Sequence, residues 1–235
     1  MYGDDDNAGG ARASAKSTRL PDFTGRGRRD RMPPVMRERW TRTGKREAAM
    51  QIAVAYALLA MIATALALAL RDGVPWVHPD PWFPAPLAVS LPLSAALGLA
   101  VAALLIVMTR LTVPRFVWAR RLHEELRPVA RDFSAGQILV IAGLSSLGEE
   151  LLFRGLLIPW IGVIPAALLF GLAHQMKGPS RWVWAGWAMA VGLGLGAIFA
   201  LTGSLVGPLL AHAVVNAVNL VYLRDHDPGA PPRAA

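Results

Sequence analysis

Three charged residues interrupt an otherwise uncharged stretch, residues 133–176: Glu149, Glu150 and Arg154. A charge in the middle of a membrane costs about 2.5–3.5 kcal/mol on the insertion scale, so these three need compensating partners. Glu150 and Arg154 are four residues apart, on one helix face, and can pair. Glu149 lies about 100° around the helix from Glu150 and has no cation nearby in sequence. We therefore expect Glu149 to be the carboxylate that is free to act as a base.

Two imidazoles and a carboxamide lie in the apolar segments that follow. His174 lies in the next segment, and His212 and Asn216 lie four residues apart, on one helix face, in the last segment. A single membrane-buried His more often only hydrogen-bonds a neighbouring helix. Together with Glu149, however, these groups can activate water and stabilise an oxyanion, or they can hold a metal. At a rise of about 1.5 Å per residue from the expected span ends, Glu149, His174 and His212 fall in one layer.

The elements that position these residues are apolar and long. The chain of 235 residues is 54% hydrophobic and 17% charged, and charges are absent from residues 48–70, 85–109, 155–176 and 182–223. A helix needs about 20 apolar residues to cross a bilayer. The sequence therefore predicts an all-α integral membrane protein of about six transmembrane helices and excludes a large soluble protein. The expected spans are 48–70, 85–109, 135–158, 165–175, 183–202 and 206–223.

A basic amphipathic helix is expected between the second and third spans. Residues 110–132 contain six Arg, and Trp118, Leu122 and Leu126 recur every four residues on one helix face. Pro128 would end or kink this helix. Such a helix lies in the membrane interface. With six spans, the basic segments all fall on one side, so both termini are expected in the cytoplasm of a multi-pass protein of the cell membrane.

The chain divides into five segments by composition. The first, residues 1–46, holds 12 Lys and Arg against six acids and is expected to be a disordered basic tail. We expect this tail and the basic loop to contact anionic lipid, and we expect no nucleic-acid partner. The remaining segments are spans 1 and 2 (47–109), the interfacial basic helix (110–134), the catalytic membrane core (135–223) and a polar C-terminal tail (224–235).

Several other residues resemble functional groups but fit poorly. His123-Glu124-Glu125 looks like the start of a zinc-protease helix, but the second His that this motif needs is replaced by Arg127. His78 and His226 are expected to be solvated in a loop and in the tail. The chain has no Cys, which excludes disulfides, thiolate metal sites and a Cys nucleophile.

Three motifs in order resemble those of the CAAX prenyl protease and bacteriocin-processing family of intramembrane proteases. They are Glu149-Glu150-x-x-x-Arg154, Phe170-x-x-x-His174 and His212-x-x-x-Asn216, and the resemblance covers about residues 135–223. It implies that Glu149 is the general base. It implies that His174 and His212 stabilise the attacked carbonyl or bind a metal, and that Asn216 completes the oxyanion site. Structural support is implied for Glu150, Arg154 and Phe170, the last by packing.

The resulting hypothesis is an intramembrane endopeptidase, a hydrolase in which Glu149 activates water. A metal-independent mechanism is favoured, and zinc held by His174, His212 and Glu149 is the alternative. The expected substrate is a peptide or a membrane protein, with the use of prenylated substrates left open. Two other classes remain: a proton-coupled transporter, because intramembrane Glu and His also form proton relays, and a membrane binding or scaffold protein without turnover.

Overall fold

The computed structural model describes residues 34–71 and 73–229, which are built from helices joined by loops. We number the helices α1 to α7, and the fourth widens into a π-helical segment, Leu151–Leu157, before its last turn. Their bounds are α1 Pro34–Leu70, α2 Leu87–Arg115, α3 Val117–Ala130, α4 Ala135–Ile161, α5 Val163–Ala173, α6 Arg181–Thr202 and α7 Val206–Asp225. These described residues contain no β-strand, although an isolated bridge joins Val77 and Ser204. The predicted all-α class is confirmed.

Five of these helices, α1, α2, α4, α6 and α7, are long and apolar enough to cross a membrane. The helix α5 has 11 residues and rises about 16 Å, roughly half of a hydrocarbon core. The fourth predicted span is therefore a half-length helix. It starts after Gly162, whose φ of 82° is accessible to glycine at little cost, and it ends at His174, which has left the helical conformation.

Two boundaries of the predicted spans differ from the structure by more than three residues. The first helix begins at Pro34, so that residues 34–46 of the expected tail are helical. Arg, Glu and Lys are good helix formers and Pro suits a first turn, which explains the extension. The second helix continues past residue 109 to Arg115, since residues 110–113 contain no Gly or Pro and Pro114 already lies in the last turn. Residues 1–33 and 230–235, the remaining parts of the expected tails, lie outside the described residues.

The predicted amphipathic helix is α3. Extended backbone at Phe116 separates it from α2. Its inner face is buried and its outer face exposes Arg120 and Arg121. Glu125 accepts hydrogen bonds from the backbone N–H and the hydroxyl of Ser180, at 3.2 and 2.8 Å, and so ties α3 to the start of α6. The buried residues of α3 are Ala119, Leu122, His123 and Ala130.

Contacts within the compact unit Gly44–Ala235 define two ends of the helix bundle. At the α3 end, α3 meets the start of α6 through Ser180 and the end of α7 through His226. At the loop end, residues 73–86 cover the end of α6 and the start of α7: the Trp82 N–H donates to Ala200 and the Leu205 N–H donates to Trp76. The segment from α5 to the start of α6 therefore returns the chain from the loop end to the α3 end.

The helices α2 and α7 cross with their backbones in contact. A Cβ atom added at Gly98 would overlap the backbone of Gly207, so neither position accepts a side chain without movement. Beside them, the Ser94 hydroxyl donates to the Ser204 carbonyl and accepts from the Gly207 N–H, both at 2.9 Å. Small residues at such a crossing permit close packing in lipid. This contact fixes where α7 begins and therefore the position of its polar residues along the axis of the helix bundle.

Candidate active site

The helix α4 delivers the buried carboxylates. Its start is fixed by a capping box, in which Ser134 and Gln137 bond each other's backbone N–H groups. Four turns later, Glu149 and Glu150 end the regular α-helix, and the π-helical segment begins at Leu151. Single π-helical turns within α-helices occur frequently at functional sites. Here the wide turn lies directly after the two glutamates.

Glu150 and Arg154 form the ion pair that their spacing predicted. Arg154 Nη1 lies 3.0 Å from Glu150 Oε1, and the two side chains are 1% and 0% exposed. The second guanidinium nitrogen donates to the Gly192 carbonyl at 3.2 Å, and the guanidinium lies 4.6 Å from the centre of the Phe170 ring. A buried ion pair needs such additional partners to offset its lost hydration. The pair therefore joins α4 to α5 and α6.

The ion pair also holds one of the imidazoles, which sequence reasoning missed. His212 Nδ1 lies 2.7 Å from Glu150 Oε1, the oxygen that Arg154 also contacts. A carboxylate accepts, so the N–H on Nδ1 is the donor. Glu150 was expected to pair with Arg154, and nothing in the spacing of α4 indicates which face of α7 would approach it. The carboxylate thus links α4 and α7 and fixes the ring plane of His212.

The second imidazole is held in an equivalent way. His174 Nδ1 lies 2.8 Å from the carbonyl oxygen of Phe170, which can only accept. The ring of His174 also packs against Phe170, with centroids 4.3 Å apart and ring planes tilted by 43°. In both histidines Nδ1 is therefore the donor, which leaves Nε2 to face the site. Phe170 thus packs between Arg154 and His174.

Glu149 lies between the two Nε2 atoms. Its Oε2 is 3.6 Å from His174 Nε2 and 3.7 Å from His212 Nε2, and it makes no hydrogen bond. These distances are longer than hydrogen bonds. In the neutral tautomers the two Nε2 lone pairs and this oxygen all direct electron density at one region. The arrangement therefore favours a proton donor or another electrophile between them.

Asn216 lies one turn beyond His212 on α7 and borders the same cavity as Glu149. Its Nδ2 donates to the Ser145 hydroxyl at 3.2 Å, and that hydroxyl donates to the Ala142 carbonyl at 3.3 Å. An amide nitrogen carries two N–H groups. One holds Asn216 in place and the other is free to donate into the cavity. Ser145 was not predicted, and its position one helical turn before Glu149 is the signal that could have found it.

A cavity of about 780 Å³ extends from these residues to the α3 end of the bundle. Glu149, His174, His212 and Asn216 line its inner part, and the walls are otherwise mainly apolar. Residues of α3 and the end of α7 line the part near the α3 end, among them Trp118, Leu122, His123, Val129 and Tyr222. The cavity therefore links the buried polar residues to the end of the bundle where the exposed Arg residues lie.

The donor set resembles that of a catalytic zinc site, but its arrangement does not. Two imidazoles and a carboxylate are common zinc ligands, and each His has its other nitrogen fixed by a partner, as zinc ligands do. In the described part of the chain, however, no group of three or more His, Cys, Asp or Glu side chains has the spacing of a metal site. We therefore derive no chemical step through a metal.

The residues set aside in the sequence do lie away from this site, but the expectation that two of them are solvated is wrong. His226 is half-buried and stacks on Tyr222 with ring centroids 4.6 Å apart. Its carbonyl lies 2.9 Å from Nε2 of the buried His123. His78 packs edge-on against Phe199, and burial, with Arg71 nearby, lowers its pKa. Local polarity of the flanking residues gave no sign of these packing contacts.

These helices, with a carboxylate and two imidazoles at one buried point, define a multi-pass membrane protein with a candidate hydrolytic site. Residues 131–218 match the family model described as type II CAAX prenyl endopeptidase, Rce1-like. The resemblance predicted from three motifs is confirmed. The family suggests a membrane endopeptidase of the CAAX type.

A curated relative covers a similar share of the chain. The uncharacterized protein YpbD of Bacillus subtilis (strain 168) is 33% identical over 91 residues, which are 39% of this chain and 48% of YpbD. The match thus spans about half the length of that relative. No solved structure matches the chain.

Proposed function

We propose that this protein is an intramembrane endopeptidase in which Glu149 activates the attacking water. The observation that carries the proposal is the position of Glu149 Oε2, which has no hydrogen bond and lies 3.6 and 3.7 Å from two imidazole nitrogens. A site of this kind holds a water beside a base and beside groups that can stabilise negative charge. The match of residues 131–218 to an endopeptidase family supports the same conclusion.

The reaction has two steps. Glu149 removes a proton from water as the water oxygen attacks the carbonyl carbon of the scissile bond, and the carbonyl becomes an oxyanion. Glu149 then gives that proton to the leaving nitrogen as the C–N bond breaks. Because Nδ1 of each imidazole already donates to a fixed acceptor, Nε2 donates to the oxyanion only from the doubly protonated ring. The neighbouring carboxylates balance that charge, and the free N–H of Asn216 adds a neutral donor.

The shape of the cavity supports substrate entry from the α3 end. The site is open to that end through the mainly apolar cavity, whereas residues 73–86 cover the opposite end through hydrogen bonds to α6 and α7. An apolar peptide segment or the end of a membrane protein matches these walls. We propose that the α3 end faces the cytoplasm, because Arg115, Arg120, Arg121 and Arg131 are all exposed there. Within the compact unit the chain crosses between the two ends of the bundle an even number of times. Both ends of that unit then lie on the cytoplasmic side.

Cleavage by the purified full chain in lipid nanodiscs tests the proposal. The substrates are quenched fluorescent peptides with apolar segments, with and without a farnesylated C-terminal Cys-containing motif. Glu149→Gln should lower the cleavage rate by about 10²–10⁴-fold, the typical contribution of a general base. Glu124→Gln is the matched control, because this exposed glutamate of α3 lies outside the cavity lining. Equal rates for Glu149→Gln and wild type would refute the assignment of the base.

A metal-independent mechanism also needs its own measurement. Protein washed with a chelator should keep its cleavage rate, and metal analysis of that active protein should find no stoichiometric zinc. Activity that is lost with zinc and restored by adding it would require His174, His212 and Glu149 to act as ligands instead. Absence of cleavage together with proton-coupled uptake into proteoliposomes would favour the transporter.

A further inference from the structure

The first helix reaches the site although it lies outside residues 131–218. It crosses α4 at Gly148, the residue before Glu149. A Cβ atom added at Gly148 would lie 2.9 Å from the carbonyl oxygen of Tyr56 and 3.5 Å from the backbone nitrogen of Ala60. A glycine here lets the two backbones approach, since any side chain would push α1 away. This crossing puts one turn of α1 level with the catalytic carboxylate.

Tyr56 is the polar side chain that this turn presents to the site. It is half-buried and borders the same cavity as Glu149, His174 and His212. Its phenol and the carboxylate of Glu149 are close enough to interact directly. Oε2 of the same carboxylate faces the two imidazoles without a hydrogen bond. The carboxylate of Glu149 is therefore within reach of a phenol and of two imidazoles.

A carboxylate that acts as a general base needs a fixed orientation. The last torsion of a glutamate side chain is soft, so an unrestrained carboxylate rotates. Glu150 is held by Arg154 and His212, but none of these contacts restrains Glu149. A phenol is a good donor to a carboxylate, and a hydrogen bond to a charged acceptor is stronger than one between neutral groups.

We propose that Tyr56 is a positioning residue for Glu149: its hydroxyl donates to the carboxylate and keeps Oε2 directed at the region between His174 and His212. This inference rests on the proposed role of Glu149 as the base. It assigns to α1 a direct part in the site. In this proposal Tyr56 acts through its hydroxyl group, whereas a purely structural role would depend on packing of its ring.

Two variants separate the hydroxyl from the ring. Tyr56→Phe removes only the oxygen, and Tyr56→Leu removes the ring as well. Loss of a hydrogen bond to a charged group should lower kcat by about ten- to hundredfold in both variants, with KM changed less than about threefold because the cavity walls remain. Thermal unfolding of Tyr56→Phe should match that of the wild type. If packing alone matters, Tyr56→Phe keeps its kcat and only Tyr56→Leu loses it.

Infrared spectroscopy supplies a measurement that needs no substrate. The difference spectrum of wild type minus Glu149→Gln isolates the carboxyl bands of Glu149. In the Tyr56→Phe background the same difference should show these bands at a shifted frequency, because their hydrogen-bond donor is gone. A kcat for Tyr56→Phe within twofold of wild type, or unshifted bands, overturns the inference. Full activity of Glu149→Gln would instead refute the proposed function, so the two failures are distinguishable.

Discussion

Two polar clusters each contribute residues to the wall of the same cavity, and their chemistry differs. The inner cluster comprises Glu149, Glu150, Arg154, His174 and His212, and the mouth cluster at the α3 end comprises Arg110, His123, Tyr222 and His226. Both contain two histidines, an arginine and aromatic contacts.

In the mouth cluster the polar groups contact one another. His123 Nε2 lies 2.9 Å from the carbonyl of His226. Arg110 donates to the side chain of Asn219 and to the carbonyl of Val218, each at 3.2 Å, and its guanidinium lies 3.7 Å from the centre of the Tyr222 ring. In the inner cluster the corresponding atoms, Glu149 Oε2 and two Nε2 atoms, face a common region without bonding one another. Polar composition alone therefore does not distinguish the two clusters. The inner cluster differs because its polar atoms converge on one region and keep hydrogen-bonding capacity that no neighbour uses.

The largest expected difference between the two clusters is in cleavage. His174→Ala should lower the rate by about 10²–10³-fold, the typical effect of losing one oxyanion donor. The same substitution in the mouth cluster, His226→Ala, removes a ring that stacks on Tyr222 and lies outside the cavity lining. That variant should keep its rate within about threefold. Equal losses in the two variants, measured with the same peptide, would remove the distinction between the clusters.

Stability should differ less, but in the same direction. Removing one partner of a buried ion pair costs about 3–5 kcal/mol, so Arg154→Met should lower the free energy of unfolding by that amount. The matched pair at the mouth is Arg127 and Asp227, 3.1 Å apart with side chains 26% and 43% exposed. Arg127→Met should cost about 0–1 kcal/mol. Reversible unfolding in mixed micelles would measure both losses in the free energy of unfolding. A smaller loss for Arg154→Met than for Arg127→Met would contradict the claim that the inner ion pair stabilises the fold more than the pair at the mouth.

The smallest expected effect is a pH dependence of stability, and it arises in the mouth cluster. Burial lowers the pKa of His123 below its ordinary value of 6.5; Arg127 and Arg110 lower it further, and the His226 carbonyl opposes this. The unfolded chain therefore binds a proton more readily than the folded one. The stability from neutral His123 is present above pH 6.5 and is lost as the pH falls below it.

Melting temperatures between pH 8 and pH 5 test this linkage. His123→Gln should make the melting temperature fall less steeply with decreasing pH. His78, whose pKa is also lowered, supplies a background slope of the same sign that remains in the variant. An unchanged slope in His123→Gln would show that His123 does not contribute to the pH dependence of stability.

The sequence predicted the helical class, and it singled out residues that lie close together in the structure, for a physical reason. Charges are so costly in lipid that Glu149 and Glu150 stand out against their surroundings, and three ordered motifs share a recognisable spacing. The ion pair of Glu150 with Arg154 followed from helix geometry alone. These features are local, within one or two helical turns.

The features that sequence reasoning missed depend on contacts between distant segments. Tyr56 meets Glu149 because α1 crosses α4 at Gly148, and the contact of His212 with Glu150 spans 62 residues. The half-length of α5 depends on the glycine before it and on the cap at His174 rather than on its apolar composition. The assigned catalytic roles stay predictions until the variants above are measured.

The contact between α2 and α7 has a consequence for the order of assembly. Ser94 and Gly207, which bond each other at this crossing, are 113 residues apart in the chain. During synthesis the Ser94 hydroxyl and the small-residue face of α2 have no α7 to pack against until α3 to α6 have been made and have entered the bilayer. Because α7 also carries His212, the nascent chain holds Glu149 and His174 without the second imidazole. Under the proposed function, the site is therefore complete only when α7 docks, and a nascent chain that stalls before α7 holds one of the two imidazoles.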